Sequence, residues 1–160
     1  MTKPRFPAHG QAALAAVTGE YLATLVHHVY GGLVFASPER LVMAAVFTAV
    51  FAVTLLLHAL DRAWARGAAL GLGLVFWGTM LGAWEGGYNH VYASLRVLFG
   101  SSPPGYHADG VFQSTGWLTF AFAVVAIWSY AWSLARRPGL DRSPPGVIGE
   151  EAAHGRSSLE

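Results

Sequence analysis

The sequence predicts an all-α protein, a bundle of four transmembrane helices with both termini on the cytoplasmic side. Three observations predict it. The chain is 54% hydrophobic and only 12% charged, against roughly 25% charged for soluble domains. Leu41 to Leu60, Gly67 to Trp84 and Val111 to Ala135 hold no formal charge, and at about 1.5 Å per residue each run can span a hydrocarbon core of about 30 Å. Proline and charge gather between the runs, in "SPER" (Ser37 to Arg40), "DRAWAR" (Asp61 to Arg66) and "GSSPPGYHADG" (Gly100 to Gly110). Proline stops helices there because it lacks an amide donor and restrains the residue before it.

The first span is expected over residues 11–36, a run broken only by Glu20, His27 and His28. Lys3 and Arg5 precede it as in a secretory signal, but the apolar run is too long for a signal core and three more spans follow, so it is expected to be retained. The second span covers 41–60. The first two connections are short, which makes helices 1 and 2, and then 2 and 3, antiparallel neighbours.

The third span covers 67–88 and passes through "WEGGYNHVY" (Trp84 to Tyr92). Continued to Phe99 it would exceed the bilayer, so a bend at Gly86-Gly87 and a short interfacial helix over Asn89 to Phe99 are expected. The fourth span covers 111–135. Residues 138–160, rich in Pro, Gly, Ser and charge, read as a disordered cytoplasmic tail whose last residues, "SSLE", resemble a cloning or protease-site remnant. Residues 1–137 then form a single membrane domain.

Orientation follows from Lys and Arg near the span ends, with the richer side cytoplasmic. Lys3, Arg5, Arg62, Arg66, Arg136 and Arg137 fall on one side, against Arg40 and Arg96 on the other. A bacterial inner membrane is the expected location, with lipid as the first partner and a homo-oligomer or larger membrane complex around so small a bundle. Trp64, Trp84, Tyr88, Tyr92, Tyr106 and Trp117 gather near span ends, as interfacial aromatics do.

Several function classes have no support. The net charge is +1 with scattered basic residues, which leaves no footprint for nucleic acid. No Walker or dinucleotide glycine loop is present for a nucleotide, and there is no nucleophile elbow or zincin run. Cysteine is absent, so disulfides, thiolate metal sites and thiol catalysis are excluded.

What remains is a polar constellation. On a regular helix at about 100° per residue, Glu20, Thr24, His27 and Gly31 share one face of helix 1, with His28 about 80° away. On helix 3, Gly78, Gly82 and Gly86 form a small-residue ridge against which another backbone or a flat cofactor can lie. Glu85, Asn89, Tyr92 and Arg96 continue that ridge within roughly 40°, whereas His90 lies about 120° off it. His27, His28, Glu85 and His90 thus reach a similar outer depth, below a loop holding His107 and Asp109.

Each such group costs roughly 2.5–3.5 kcal/mol at the bilayer centre on insertion scales, so pairing, metal or water must compensate. The leading reading is a transition-metal site (Zn, Cu or Fe) near the extracytoplasmic face, with His27, His28, Glu85, His90, His107 and Asp109 as candidate ligands. Tyr88 and Asn89 would orient them. In a metal-dependent membrane enzyme or oxidoreductase, Glu85 would be the catalytic residue, as ligand or general base.

Three alternatives stand beside it. Haem b could be held by histidines on facing helices, with Gly78 and Gly82 making room for the porphyrin. A proton-coupled transporter or ion relay could run through Glu20, Thr24, His27, His28 and Glu85. The polar groups could also simply lock helix 1 to helix 3 in a non-catalytic subunit whose glycine ridge docks a larger membrane complex. His58, at the inner end of helix 2, is expected to pair with Asp61.

Overall fold

The computed structural model describes residues 8–60, 62–101 and 103–135. Four helices make up its regular structure: α1 (Ala8–Val34), α2 (Pro38–Ala59), α3 (Ala63–Leu98) and α4 (Gly110–Ala135). No strand occurs among the described residues. The expected tail, the Asp61 partner of His58, and Lys3, Arg5, Arg136 and Arg137 lie outside them.

Helices α2, α3 and α4 are each long and apolar enough to cross a membrane, which points to an integral membrane protein. At 27 residues α1 is long enough too, but Glu20, Thr24, His27 and His28 make it too polar to join that set. Those four side chains are all buried. The face that α1 turns outward carries Leu22, Val26, Val29 and Leu33 instead. Throughout the bundle the usual arrangement is inverted, with Thr54, His58, His90 and Thr119 inside and Val42, Val75, Met80 and Val125 outside, as a chain solvated by hydrocarbon requires.

Helix α1 packs along α2 and α4, and α4 packs along α3. Contact between α2 and α3 is concentrated around their short link. Deeper in the bundle it is reinforced by Trp77, which is fully buried and donates its indole N–H to Thr54 Oγ1 at 3.0 Å. Ala13, Ala16, Val17, Phe47, Leu81, Ala126 and Tyr130 pack around that indole to form the apolar core.

Helix α3 departs from the expected bend. It stays continuous through Gly86-Gly87, and from Gly73 to Tyr92 its hydrogen bonds close at i→i+5 instead of i→i+4. A side chain records the same change: Thr18, Thr48 and Thr54 each donate to the carbonyl four residues back, while Thr79 donates to Leu74, five back. Such widening lowers the turn from about 100° to roughly 80° per residue. The buried positions follow the slower rotation, since Gly73, Trp77, Gly82, Gly86 and His90 recur at four to five residues.

The glycine ridge of α3 is filled by α4. A Cβ on Gly82 would collide with the Ala123 methyl, and one on Gly86 would stand 2.6 Å from the Phe120 amide nitrogen. Gly78 faces the Ile127 side chain, 2.9 Å from where its Cβ would be. The two backbones therefore approach to a distance that only hydrogen at Cα permits. The groove proposed for a porphyrin or a docking partner is used within the chain, and no space for a macrocycle remains along it.

Gly82→Ala and Gly86→Ala are accordingly expected to destabilise the bundle by about 1–3 kcal/mol through overpacking. Gly67 and Gly71 have nothing within 4 Å of such a Cβ, so alanine there is expected to be neutral. Melting of the four variants in one detergent checks the contrast; equal melting temperatures would remove the tight α3–α4 seam.

Candidate metal centre

Helix α1 delivers the first candidate donors because its buried positions keep helical spacing. Ala13, Ala16, Val17, Glu20, Thr24, His27 and Gly31 all lie on the inward stripe. Glu85 and His90 reach the same place from α3 for a different reason. Five residues apart, they diverge by about 140° on a regular helix and by only about 40° on the widened one. The change of hydrogen-bond pattern brings His90 onto the face of Glu85.

Three imidazole nitrogens surround one carboxylate oxygen. Glu85 Oε1 stands 3.4 Å from His27 Nε2, 3.7 Å from His90 Nε2 and 4.0 Å from His28 Nε2. One donor atom from each of His27, Glu85 and His90 falls within 4.8 Å of the others. The other carboxylate oxygen, Oε2, accepts the Asn89 amide N–H at 2.8 Å, which fixes the plane of the carboxylate.

The far nitrogens fix where the protons are. His27 Nδ1 lies 3.0 Å from the Phe112 carbonyl, an acceptor only, so Nδ1 carries the hydrogen. Arg40 Nη1 approaches His27 Nε2 at 3.5 Å; a guanidinium only donates, so that nitrogen presents its lone pair. Gln113 Nε2 donates to the His107 carbonyl at 2.6 Å, which directs its Oε1 to His90 Nδ1 at 3.0 Å. His90 Nδ1 therefore also carries the hydrogen, and its Nε2 lone pair faces Glu85. Both imidazoles are oriented as metal-binding histidines are, by an acceptor on the outer nitrogen.

The spacing is longer than that of a direct ion pair. An imidazolium–carboxylate bond would close to about 2.7–2.9 Å. Two ligand atoms held about 2.1 Å from one ion at a tetrahedral angle stand roughly 3.4 Å apart, close to the His27 and His90 distances from Glu85.

His28 edges the site, and neither of its ring nitrogens has a hydrogen-bond partner within the protein. His107 and Asp109 are engaged elsewhere. His107 stacks on Phe35 at 4.1 Å between ring centroids. Asp109 accepts the Phe112 amide as the N-cap of α4, and takes the Tyr30 hydroxyl at 2.9 Å. The Phe112 amide holds its carboxyl below the usual carboxylate range, so this tie is made at neutral pH, persists through that range and is lost only in stronger acid. Tyr88 belongs to an exposed stack with Trp84 and Tyr92. Thr24 bonds Thr119 at 3.2 Å, and Glu20 lies apart from the cluster.

Helix α4 supplies the groups that orient the histidines, none of which was among the candidate site residues. The Phe112 carbonyl, Thr115 and Gln113 orient the histidines. Gly116 leaves room for His90, whose ring a Cβ there would strike. A signal existed for Gln113, an amide facing inward near the mouth of an apolar span; none existed for a backbone carbonyl. Above the site lies a cavity of about 530 Å³ lined by Arg40, Glu85, Tyr88, Asn89, Arg96 and Gln113. Glu85, at 20% side-chain exposure, opens to it, whereas His27 and His90 are nearly closed off.

No protein-family model, curated protein or solved structure matches the chain.

The ring protons can be read directly. Long-range nitrogen–proton NMR of metal-stripped protein in micelles is expected to show His27 and His90 both as Nδ1–H tautomers. Gln113→Leu should turn His90 alone into a tautomer mixture; an Nε2–H His90 in the unaltered protein would contradict the bonding scheme.

Proposed function

We propose an integral membrane protein of four crossings, with both termini cytoplasmic, that holds a transition metal near its extracytoplasmic face through His27, Glu85 and His90. One observation supports this above the rest: two imidazole lone pairs and a carboxylate oxygen converge on one point while the outer nitrogens are tied to acceptors. Without a cation, three electron-rich atoms would face one another in a poorly solvated site. His28 Nε2, 4.0 Å from Glu85 Oε1, is a fourth donor within reach of a small rotation. His107 and Asp109 act on the site from outside, by shaping the loop above it.

Neutral imidazoles with one carboxylate suit Zn, Cu or Fe. Such an ion would supply Lewis acidity or redox chemistry to a substrate in the cavity, as a membrane enzyme or oxidoreductase. The protein's part is to orient the ligands, bury His27 and place the Glu85 carboxylate at the cavity floor. Asn89 keeps that carboxylate aligned. A lock between α1 and α3 without a metal is the competing reading, and it expects shorter contacts than those seen.

Elemental analysis with a visible absorption spectrum on detergent-purified protein is the deciding experiment. Near-stoichiometric metal is expected, lost in His27→Ala and His90→Ala and weakened about 10–100-fold in Gln113→Ala, whose side chain acts through His90. Affinity should also fall in acid, because imidazolium cannot ligate. Folded protein that binds none of the three metals at micromolar concentration would overturn the reading.

A further inference from the structure

The cavity above the outer centre lies where the bundle is least closed. Helix α1 packs on α2 and α4, and α4 packs on α3, but α2 and α3 meet mainly around their short link. Beneath the cavity they touch again through side chains, with the rings of Phe47 and Phe76 6.0 Å apart between centroids. No comparable packing joins their outer ends among the described residues. The cavity sits between those ends, lined by Arg40 and Met43 of α2 and by Tyr92 and Arg96 of α3, with Pro103 and Tyr106 of the following loop over it.

Its lining carries two cations without counter-ions. Arg40 and Arg96 form no ion pair among the described residues. Arg40 Cζ lies 4.6 Å from the Phe112 ring centroid, and Arg96 Cζ lies 6.0 Å from that of Tyr92. Such contacts with ring faces use none of a guanidinium's five N–H donors, and the approach of Arg40 to His27 uses one. The two carboxylates of the lining are engaged elsewhere, Glu85 with Asn89 and Glu39 with the Ser37 hydroxyl at 2.6 Å. His28 lines the same cavity, only 6% exposed and with both ring nitrogens lacking a partner. In the first turn of a spanning helix, a half-buried guanidinium such as that of Arg40 has less water to solvate it, so an unpaired charge there is costly.

We propose that this cavity binds an amphiphile by a phosphate head group, held by Arg40 and Arg96 beside His28, with the chain leaving between α2 and α3 into the bilayer. Guanidinium matches phosphate in bidentate geometry. Phosphate also presents acceptor oxygens in several directions, so one head group can serve arginines from two helices, whereas a carboxylate presents two oxygens in a single plane. The volume of about 530 Å³ lies within the roughly 300–1,000 Å³ of small-molecule sites, and Met43 and Tyr92 offer the apolar wall that the first carbons of a chain require. The head group would rest above Glu85. This names the class of molecule that meets the outer centre; it rests on the proposed function for the placing of that centre in the membrane, while binding itself needs no metal.

Native mass spectrometry of metal-stripped protein released from a neutral detergent tests it, with lysophosphatidic acid as the probe. One molecule per chain is expected to stay bound. Arg40→Gln and Arg96→Gln should each weaken binding about tenfold or more, as loss of a charged hydrogen-bond donor does. Arg96 is exposed near the end of α3, so its variant decides should Arg40→Gln fail to fold. Lysophosphatidylcholine of equal chain length, and glycerol phosphate without a chain, should both bind about tenfold more weakly than the probe. The proposal is overturned if both arginine variants keep the native affinity, if glycerol phosphate binds as tightly, which would make this a site for free phosphate, or if lysophosphatidylcholine does, which would make it a site for the chain alone. Metal content of unstripped preparations separates the two readings. Amphiphile bound by protein that takes up no metal would sustain this one and overturn the metal centre, and metal uptake without amphiphile binding would do the reverse.

Discussion

The hydrogen-bond pattern of α3 is the constraint on which the outer centre depends. A regular helix would turn His90 away from Glu85 by about 140°, and the widened one brings them within about 40°. Long stretches of i→i+5 bonding are uncommon and are associated with functional positions. The sequence of α3 permits one because glycines at 73, 78, 82, 86 and 87 remove the crowding a wider helix would create against its neighbour. Those glycines let α4 approach closely, and α4 in turn carries Phe112, Gln113 and Gly116 to the histidines. Backbone widening, tight packing and ligand orientation are therefore one arrangement.

The second organising fact is the separation of polar groups by depth. In water a buried carboxyl or imidazole competes with solvation that is always near; in hydrocarbon the alternative to an internal partner is an unsatisfied group. The outer cluster meets this requirement almost completely, with each far nitrogen of His27 and His90 given an acceptor and Glu85 held by Asn89. What it leaves unmet lies between the three facing donor atoms and at His28, neither of whose ring nitrogens has a hydrogen-bond partner. Glu20 is the opposite case, a single group left unmet in otherwise apolar surroundings.

Much of this was legible in the residues themselves. Charge-free runs between proline-rich breaks mark helices because hydrocarbon admits little else, and three of the four helices carry that signature plainly. The inward stripe of Glu20, Thr24 and His27 followed from helical spacing because α1 is regular. The same arithmetic failed on α3, where a fixed 100° put His90, kept among the candidate ligands for its depth, about 120° off the glycine ridge, a divergence that the wider ladder removes. His107 and Asp109 looked like ligands because loop residues over a mouth can fold inward. Ring stacking on Phe35 and capping of α4 decided otherwise, and both depend on neighbours distant in sequence. The Phe112 carbonyl could not have been found, since every residue has one.

The two polar sites differ in a way that bears on how they act. At the outer centre the donors are rigid: the imidazoles are tied at Nδ1, the carboxylate at Oε2, and Gly116 seats one ring against the backbone of α4. Such preorganisation favours a species that takes several lone pairs at fixed distances, and it disfavours one that needs its ligands to move. Deeper in the bundle, the Tyr130 hydroxyl stands 3.4 Å from His58 Nε2, long enough for the contact to make and break as side chains turn. Rigid convergence suits a resident cation, and a single long contact does not. The Thr24–Thr119 pair lies toward the outer side, and a bond between two hydroxyls, either of which can be the donor, does not fix a direction.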